Sequence, residues 1–159
     1  MDLVSILLLI STVGITIVFI IFYNIFKNKK NKKYFAFISK QAAEQGCKIS
    51  EFEHENSFII GIDYDSQFVF FYDTRNQSKI NINLSEIQQC KVNHLTRSIG
   101  SGKNIHSTTD RVELIFVHKD RKKTDIILEC YNSNYSTQLA NELIIADKWL
   151  TIITNELKK

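Results

Sequence analysis

Residues 57–84 read SFIIGIDYDSQFVFFYDTRNQSKININL, and this stretch decides the fold. Residues 57–62 (SFIIGI) and 68–72 (FVFFY) are β-branched or aromatic runs of strand length. Between them, Asp63-Tyr64-Asp65-Ser66-Gln67 supplies the short polar side chains that hydrogen-bond their own backbone in turns. A second turn, Asp73-Thr74-Arg75-Asn76-Gln77, leads into 79–84 (KININL), where Ile80, Ile82 and Leu84 fall on one face at period two. Three strands joined by tight turns run antiparallel.

Working outward, 48–53 (KISEFE) alternates polar and apolar and predicts a strand ahead of this group. Downstream, Ser85-Glu86-Ile87 predicts a short bend before a strand around 89–95. Residues 96–110, rich in Gly, Ser, Thr and Asn, read as a long irregular loop. Residues 111–118 (RVELIFVH) and 124–131 (TDIILECY) predict a hairpin across 119–123. No proline interrupts any of these elements.

The chain closes on an apolar stripe, Leu139, Leu143, Ala146, Leu150, Ile153 and Leu157, which predicts an amphipathic helix over 136–157. Ile144, Ile145, Trp149 and Ile152 widen the stripe beyond what water would tolerate, so the helix must dock on a sheet or a partner. A heptad-like seam between two copies is the alternative to core packing, so oligomerisation stays open. Ahead of the strands, 34–45 (YFAFISKQAAEQ) has helical spacing, with Gly46 as its stop. It reads equally as a separate helix or as a continuation of what precedes it.

About seven antiparallel strands followed by one terminal helix resemble the pleckstrin-homology (PH-like) superfold, and bacterial PH-like domains tethered by a single membrane span above all. The resemblance covers 48–157, with Trp149 in the terminal helix, and implies an α+β half-barrel capped by that helix. In phosphoinositide-binding members the first strand–strand loop is basic. Here it reads Glu53-His54-Glu55-Asn56, which repels phosphate.

Residues 3–26 contain no charged side chain. As a helix they span about 36 Å at ~1.5 Å per residue, more than the roughly 30 Å of a bilayer's hydrocarbon core. A cleaved signal peptide would need a basic start, a shorter core and small residues at the cut. Asp2, and the bulky Phe22, Tyr23, Ile25 and Phe26, oppose that reading. A lysine collar follows: Lys27, Lys29, Lys30, Lys32 and Lys33. The expected division is 1–33, a transmembrane helix with its juxtamembrane collar, and 34–159, a folded domain. The lysine asymmetry places that domain on the cytoplasmic side of the plasma membrane, with the N-terminus outside. The same lysines suit anionic headgroups, at about 1 kcal/mol each near the surface.

Without the collar and Asp2, the chain keeps fifteen basic and sixteen acidic residues, so the domain is close to neutral. Nothing in that balance favours a nucleic acid. Cys47, Cys90 and Cys130 are dispersed and odd in number, which opposes a disulfide scaffold or a zinc ribbon. His54, His94, His106 and His118 share no ligand spacing, and His54 between two glutamates reads as an exposed turn. Asp63 and Asp65 lack the Gly and Glu of a calcium loop. Gly100-Ser101-Gly102-Lys103 is no phosphate loop, because Arg97 stands where the first Gly belongs and Asn104 where Ser or Thr does.

No catalytic residue, metal or cofactor is therefore expected. Lys91, Arg97, Lys103, His106 and Arg111, with His94, form the candidate patch for an anion or a partner. The expected function is a non-enzymatic, membrane-tethered binding or scaffold module whose sheet edge or 96–110 segment recruits another protein. The alternatives are a protein that self-associates through its terminal helix, and an enzyme of unrecognised type.

Overall fold

The computed structural model describes residues 3–55, 57–99, 106–136 and 138–159; most side chains before Asn28, and those of Ile99 and His106, lie outside that description. The chain divides into two units, Met1–Phe37 and Ile38–Lys159. Helix α1, Leu3–Ala43, is continuous, so residues 34–43 prolong the N-terminal helix. It ends where Gly46 takes φ +72°, and Cys47 N–H reaches back to the Ala42 carbonyl. Among the described residues no helix is long and apolar enough to cross a membrane. The expected span falls mostly on side chains outside the description. Those described within it, Ile15, Ile17, Val18, Ile21, Phe22, Tyr23 and Ile25, are all exposed.

The second unit is α+β. Strands β1 (Glu51–His54), β2 (Phe58–Asp63), β3 (Phe68–Asp73) and β4 (Ser78–Asn83) form one antiparallel sheet in chain order. A 3-10 turn, Leu84–Glu86, leads to β5 (Ile87–Ile99), β6 (His106–His118) and β7 (Ile126–Asn132), a second antiparallel sheet. Helix α2, Glu142–Glu156, packs on β5, β6 and β7. Phe58, Ile60, Ile62, Val69 and Phe71 meet Val112, Leu114, Phe116, Leu128 and Trp149 in one core between the sheets and α2.

Strand β2 is buried along its whole length because both faces are covered. Its even residues face that core. Its odd residues, Ile59 and Gly61, sit on the side where the last turn of α1 docks. Ile38 and Ala42 are fully buried there, and Gln41 Nε2 donates to Phe71 O, Ile80 O and Asn81 Oδ1 at 3.2, 3.3 and 2.7 Å. Gly61 makes room: a Cβ would stand 3.1 Å from Ile49 Cδ1 and 3.3 Å from Ile38 Cγ1.

Both tight turns obey one chemistry. Asp63 Oδ1 accepts from Asp65 N and Ser66 N, and Asp73 Oδ1 accepts from Arg75 N. Each turn ends on a glutamine in the left-handed region, Gln67 at φ 53° and Gln77 at φ 59°.

Three expectations change. Residues 96–99 and 106–110 are strand rather than loop, and 100–105 lie outside the described residues: β5 runs on to Ile99 and β6 starts at His106, with Thr96 opposite Thr109 and Ser98 opposite Ser107. Hydroxyl and β-branched side chains suit a two-sided exposed ribbon as well as they suit a loop. His54 belongs to β1, half-buried with its ring stacked on Phe52, rather than to an exposed turn. Helix α2 begins at Glu142 instead of 136, and its most buried line is Ile145, Ala146, Trp149 and Ile153. The stripe read from the sequence faces the core: Ala146 and Ile153 are fully buried and Leu139, Leu143, Leu150 and Leu157 pack against it partly buried, while Ile144 is exposed.

Candidate functional site

The β5–β6 hairpin carries the patch. Each strand has thirteen residues, but β7 covers β6 only between Arg111 and Phe116, so the hairpin extends beyond the three-stranded sheet as a two-stranded ribbon. Leu95, Thr96, Arg97, Ser98, Ser107 and Thr108 are exposed on it.

Alternation distributes the cations. Lys91 pairs with Ile115 and Leu95 with Arg111, so Lys91 and Arg111 share the outward face, Arg111 being half-buried. Arg97 lies opposite Thr108, beyond a register shift between Leu95 and Thr96. Its Nε stands 3.9 Å from Asp110 Oδ1, and Arg111 Nη1 stands 4.0 Å from Glu113 Oε1. At such a distance the largely exposed Arg97–Asp110 pair contributes at most about 1 kcal/mol, so the Arg97 guanidinium remains able to exchange partners. His94 Nε2 meets Thr109 Oγ1 at 2.9 Å, and Asn93 Nδ2 donates to Glu113 Oε2 at 3.0 Å. Lys103 lies outside the described residues, and so does the side chain of His106, which opens β6. Of the collar, Lys29, Lys30, Lys32 and Lys33 are exposed, with Lys30 Nζ 5.6 Å from the Tyr34 ring; the Lys27 side chain is outside the description.

A second constellation joins β1 to α2. Lys148 Nζ bridges Glu51 at 3.2 Å and Glu53 at 3.0 Å. Trp149 Nε1 donates to Glu53 Oε2 at 3.2 Å, and Tyr64 Oη donates to Glu51 Oε2 at 2.7 Å. The Tyr64 bond, with help from Lys148, holds the Glu51 carboxyl below its ordinary range. Burial, reinforced by Glu51, pushes the Tyr64 phenol up to about 12. An open groove of about 410 Å³ lies alongside, lined by Tyr64, Ile152, Asn155, Glu156 and Lys159. Its polar groups already serve one another, since Lys159 Nζ contacts both Glu156 oxygens at 2.8 and 3.0 Å. The paired glutamates at period two in 48–53 mark an acidic strand face. Their partners on α2, some ninety-six residues away, carry no local signal.

The remaining reactive groups are held quiet. Burial pushes the Cys90 thiol up to about 12 and raises that of Cys130 as well, so neither is a ready thiolate. Asp63 is buried at 3 % exposure. Burial alone would raise its carboxyl, but N–H donors of Lys48, Ser66 and Asp65 outweigh that and lower it, so it acts as a turn anchor. Among the described residues no three His, Cys, Asp or Glu side chains gather as a metal site. Comparison with protein-family models, with curated proteins and with solved structures finds no match for this chain.

Proposed function

We propose that this protein is a non-enzymatic binding module of PH-like type, tethered to a membrane by α1 and recruiting a protein partner at the cytoplasmic face. The observation that carries the tether is the uncharged run at 3–26 within one helix, where each described apolar side chain is exposed. Outward Ile, Val and Phe along several turns suit lipid as solvent. The exposed lysines that follow suit the inner headgroups.

Four plus three antiparallel strands in chain order, closed by one helix on the second sheet, support the PH-like reading. The exposed β5–β6 ribbon supports a recruiting role, because tethering raises the effective concentration of any surface it carries.

The test is in two parts. Full-length protein expressed in cells should stay in the membrane pellet after alkaline carbonate washing; release into the supernatant defeats the tether. Crosslinking in native membranes should then capture a protein that is lost when Arg97, Lys103 and Arg111 are all replaced by Ser. Unchanged capture removes the ribbon from the recruiting surface.

A further inference from the structure

Glu156 breaks two local rules at once. It stands in the last turn of α2, where the helix's own carbonyl dipoles oppose an anion. It also continues the buried line of Ile145, Trp149 and Ile153, its side chain only 8 % exposed, where an unpaired carboxylate is costly. Residues that break local rules in this way gather at functional positions.

What satisfies the carboxylate is an ammonium from the same chain. Lys159 Nζ lies 2.8 and 3.0 Å from the two Glu156 oxygens and 5.9 Å from the centre of the Tyr64 ring. A carboxylate that accepts N–H donors, beside an aromatic face whose quadrupole attracts positive charge, is the chemistry of an ammonium site. Tyr64 is fixed by its hydroxyl, which donates to Glu51, and with its phenol raised to about 12 the ring stays neutral. Ile152 offers apolar surface to the methylenes of an alkylammonium, and Asn155 a polar rim. The groove these residues line, about 410 Å³, has the size of a small-ligand site. Lys159 is a loosely held occupant: its side chain is 64 % exposed, and it comes from beyond the end of α2.

We propose that this groove recognises a primary alkylammonium, either a lysine side chain of a partner or a free diamine, and that Lys159 occupies it as an internal competitor. Contact with both carboxylate oxygens needs N–H donors, which a quaternary ammonium lacks. A groove without a cation would strand Glu156, so binding exchanges one ammonium for another. The site joins the β2–β3 turn to the end of α2 and depends on neither the ribbon nor the tether.

The experiment follows the Ile152 methyl signal by NMR in the full chain in nanodiscs. The probes are Nα-acetyl-lysine methylamide, its Nε-trimethyl form, the neutral norleucine analogue, and cadaverine as the free diamine. Primary ammonium probes should bind Lys159→Gln about fivefold more tightly than the native chain, because the competitor no longer lowers the competent fraction. The trimethyl form should bind about tenfold more weakly than the primary one, for want of N–H donors. Glu156→Gln should abolish saturable binding, with Trp149 fluorescence reporting whether that variant folds. Lys159→Gln alters an exposed side chain and keeps the test readable if it does not. Tighter binding of the lysine amide than of cadaverine assigns the ligand to a polypeptide, and the reverse to a free amine; both support the site. Equal affinity of the native and Lys159→Gln chains, no saturable shift in Lys159→Gln, or a norleucine response matching the lysine probe overturns the proposal. Lys159 and Glu156 are then an intrahelical ion pair and nothing more.

Discussion

Trp149 Nε1 donates to Glu53 Oε2 at 3.2 Å, tying the middle of α2 to β1 across ninety-six residues of sequence. Trp149 is fully buried, so the carboxylate satisfies an indole N–H that water does not reach. Removing the acceptor should cost about 1–3 kcal/mol, the usual penalty for stranding a buried donor. Glu53→Ala is expected to lower the urea midpoint accordingly, while Glu53→Gln, which keeps an oxygen in place, should lose less than half as much. Fluorescence of Trp149, the only tryptophan, reads the transition directly. Equal losses in the two variants would assign the effect to Lys148 instead.

Tyr64 and Glu51 make opposite predictions at the two ends of the pH scale. The folded state lowers the Glu51 carboxyl, so its stabilisation is present above the ordinary carboxylate range and fades as pH falls through the lowered value. The folded state raises the Tyr64 phenol to about 12, so its contribution is intact below the ordinary value of 10.0 and is lost as pH climbs toward 12. Tyr64→Phe should flatten the alkaline limb of stability against pH. It should also move the acid limb upward, because Glu51 loses its strongest hydrogen bond. Urea titrations from pH 3 to 11 check both limbs, and an unchanged alkaline limb would count against the Tyr64 assignment.

The last turn of α1 belongs to the folded domain. Ile38 and Ala42 are fully buried, and Gln41 fills three acceptors on β3 and β4. Gln41→Leu should therefore cost about 2–3 kcal/mol, since it strands polar groups in a packed interface. A fragment of residues 34–159 should unfold cooperatively, and one of 44–159 should be several kcal/mol weaker or insoluble, because Ile59 and Phe70 lose their cover. Thermal unfolding of the two fragments decides it, and equal midpoints would contradict the docking.

Arg75 staples the β3–β4 turn to β7. Its guanidinium meets Asp73 Oδ2 at 2.7 Å, Glu129 Oε1 at 3.0 Å and Glu129 O at 2.8 Å, and lies 5.6 Å from the Tyr135 ring. Lysine cannot match that planar fork, so Arg75→Lys should cost about 1–2 kcal/mol in chemical denaturation, and Arg75→Ala more. It should also raise exchange at the β7 edge that Arg75 caps. If Lys restores full stability, the fork geometry is not what matters.

Elements with a strong local period were legible beforehand: β2, β3, β4, the core of β6 with β7, and the existence of α2. The β5–β6 ribbon was misread because Ser, Thr and Asn mark loops and exposed strands alike, and only the pairing of Thr96 with Thr109 separates the two. The core-facing side of α2 was legible as its apolar stripe, widened by Ile145 and Trp149, while its start at Glu142 was not. Gln41, Arg75 and Glu53 were invisible as anchors, since their partners lie 30 to 96 residues away and only the packed fold brings them close. The ribbon cations were named in advance; Arg111 and Glu113 share a face at period two, but the approach of Arg97 to Asp110 needs β5 and β6 brought together.

Glycosylation mapping in microsomes tests the membrane arrangement most directly. Asn76-Gln77-Ser78, Asn83-Leu84-Ser85 and Asn134-Tyr135-Ser136 are acceptor triplets, and Asn76 and Asn134 are exposed on turns. With an inward-facing domain all three stay unmodified, while an acceptor site on an N-terminal extension gains a glycan and the chain resists carbonate. Glycans on the native triplets, or a chain that washes free, would contradict a cytoplasmic domain tethered by α1.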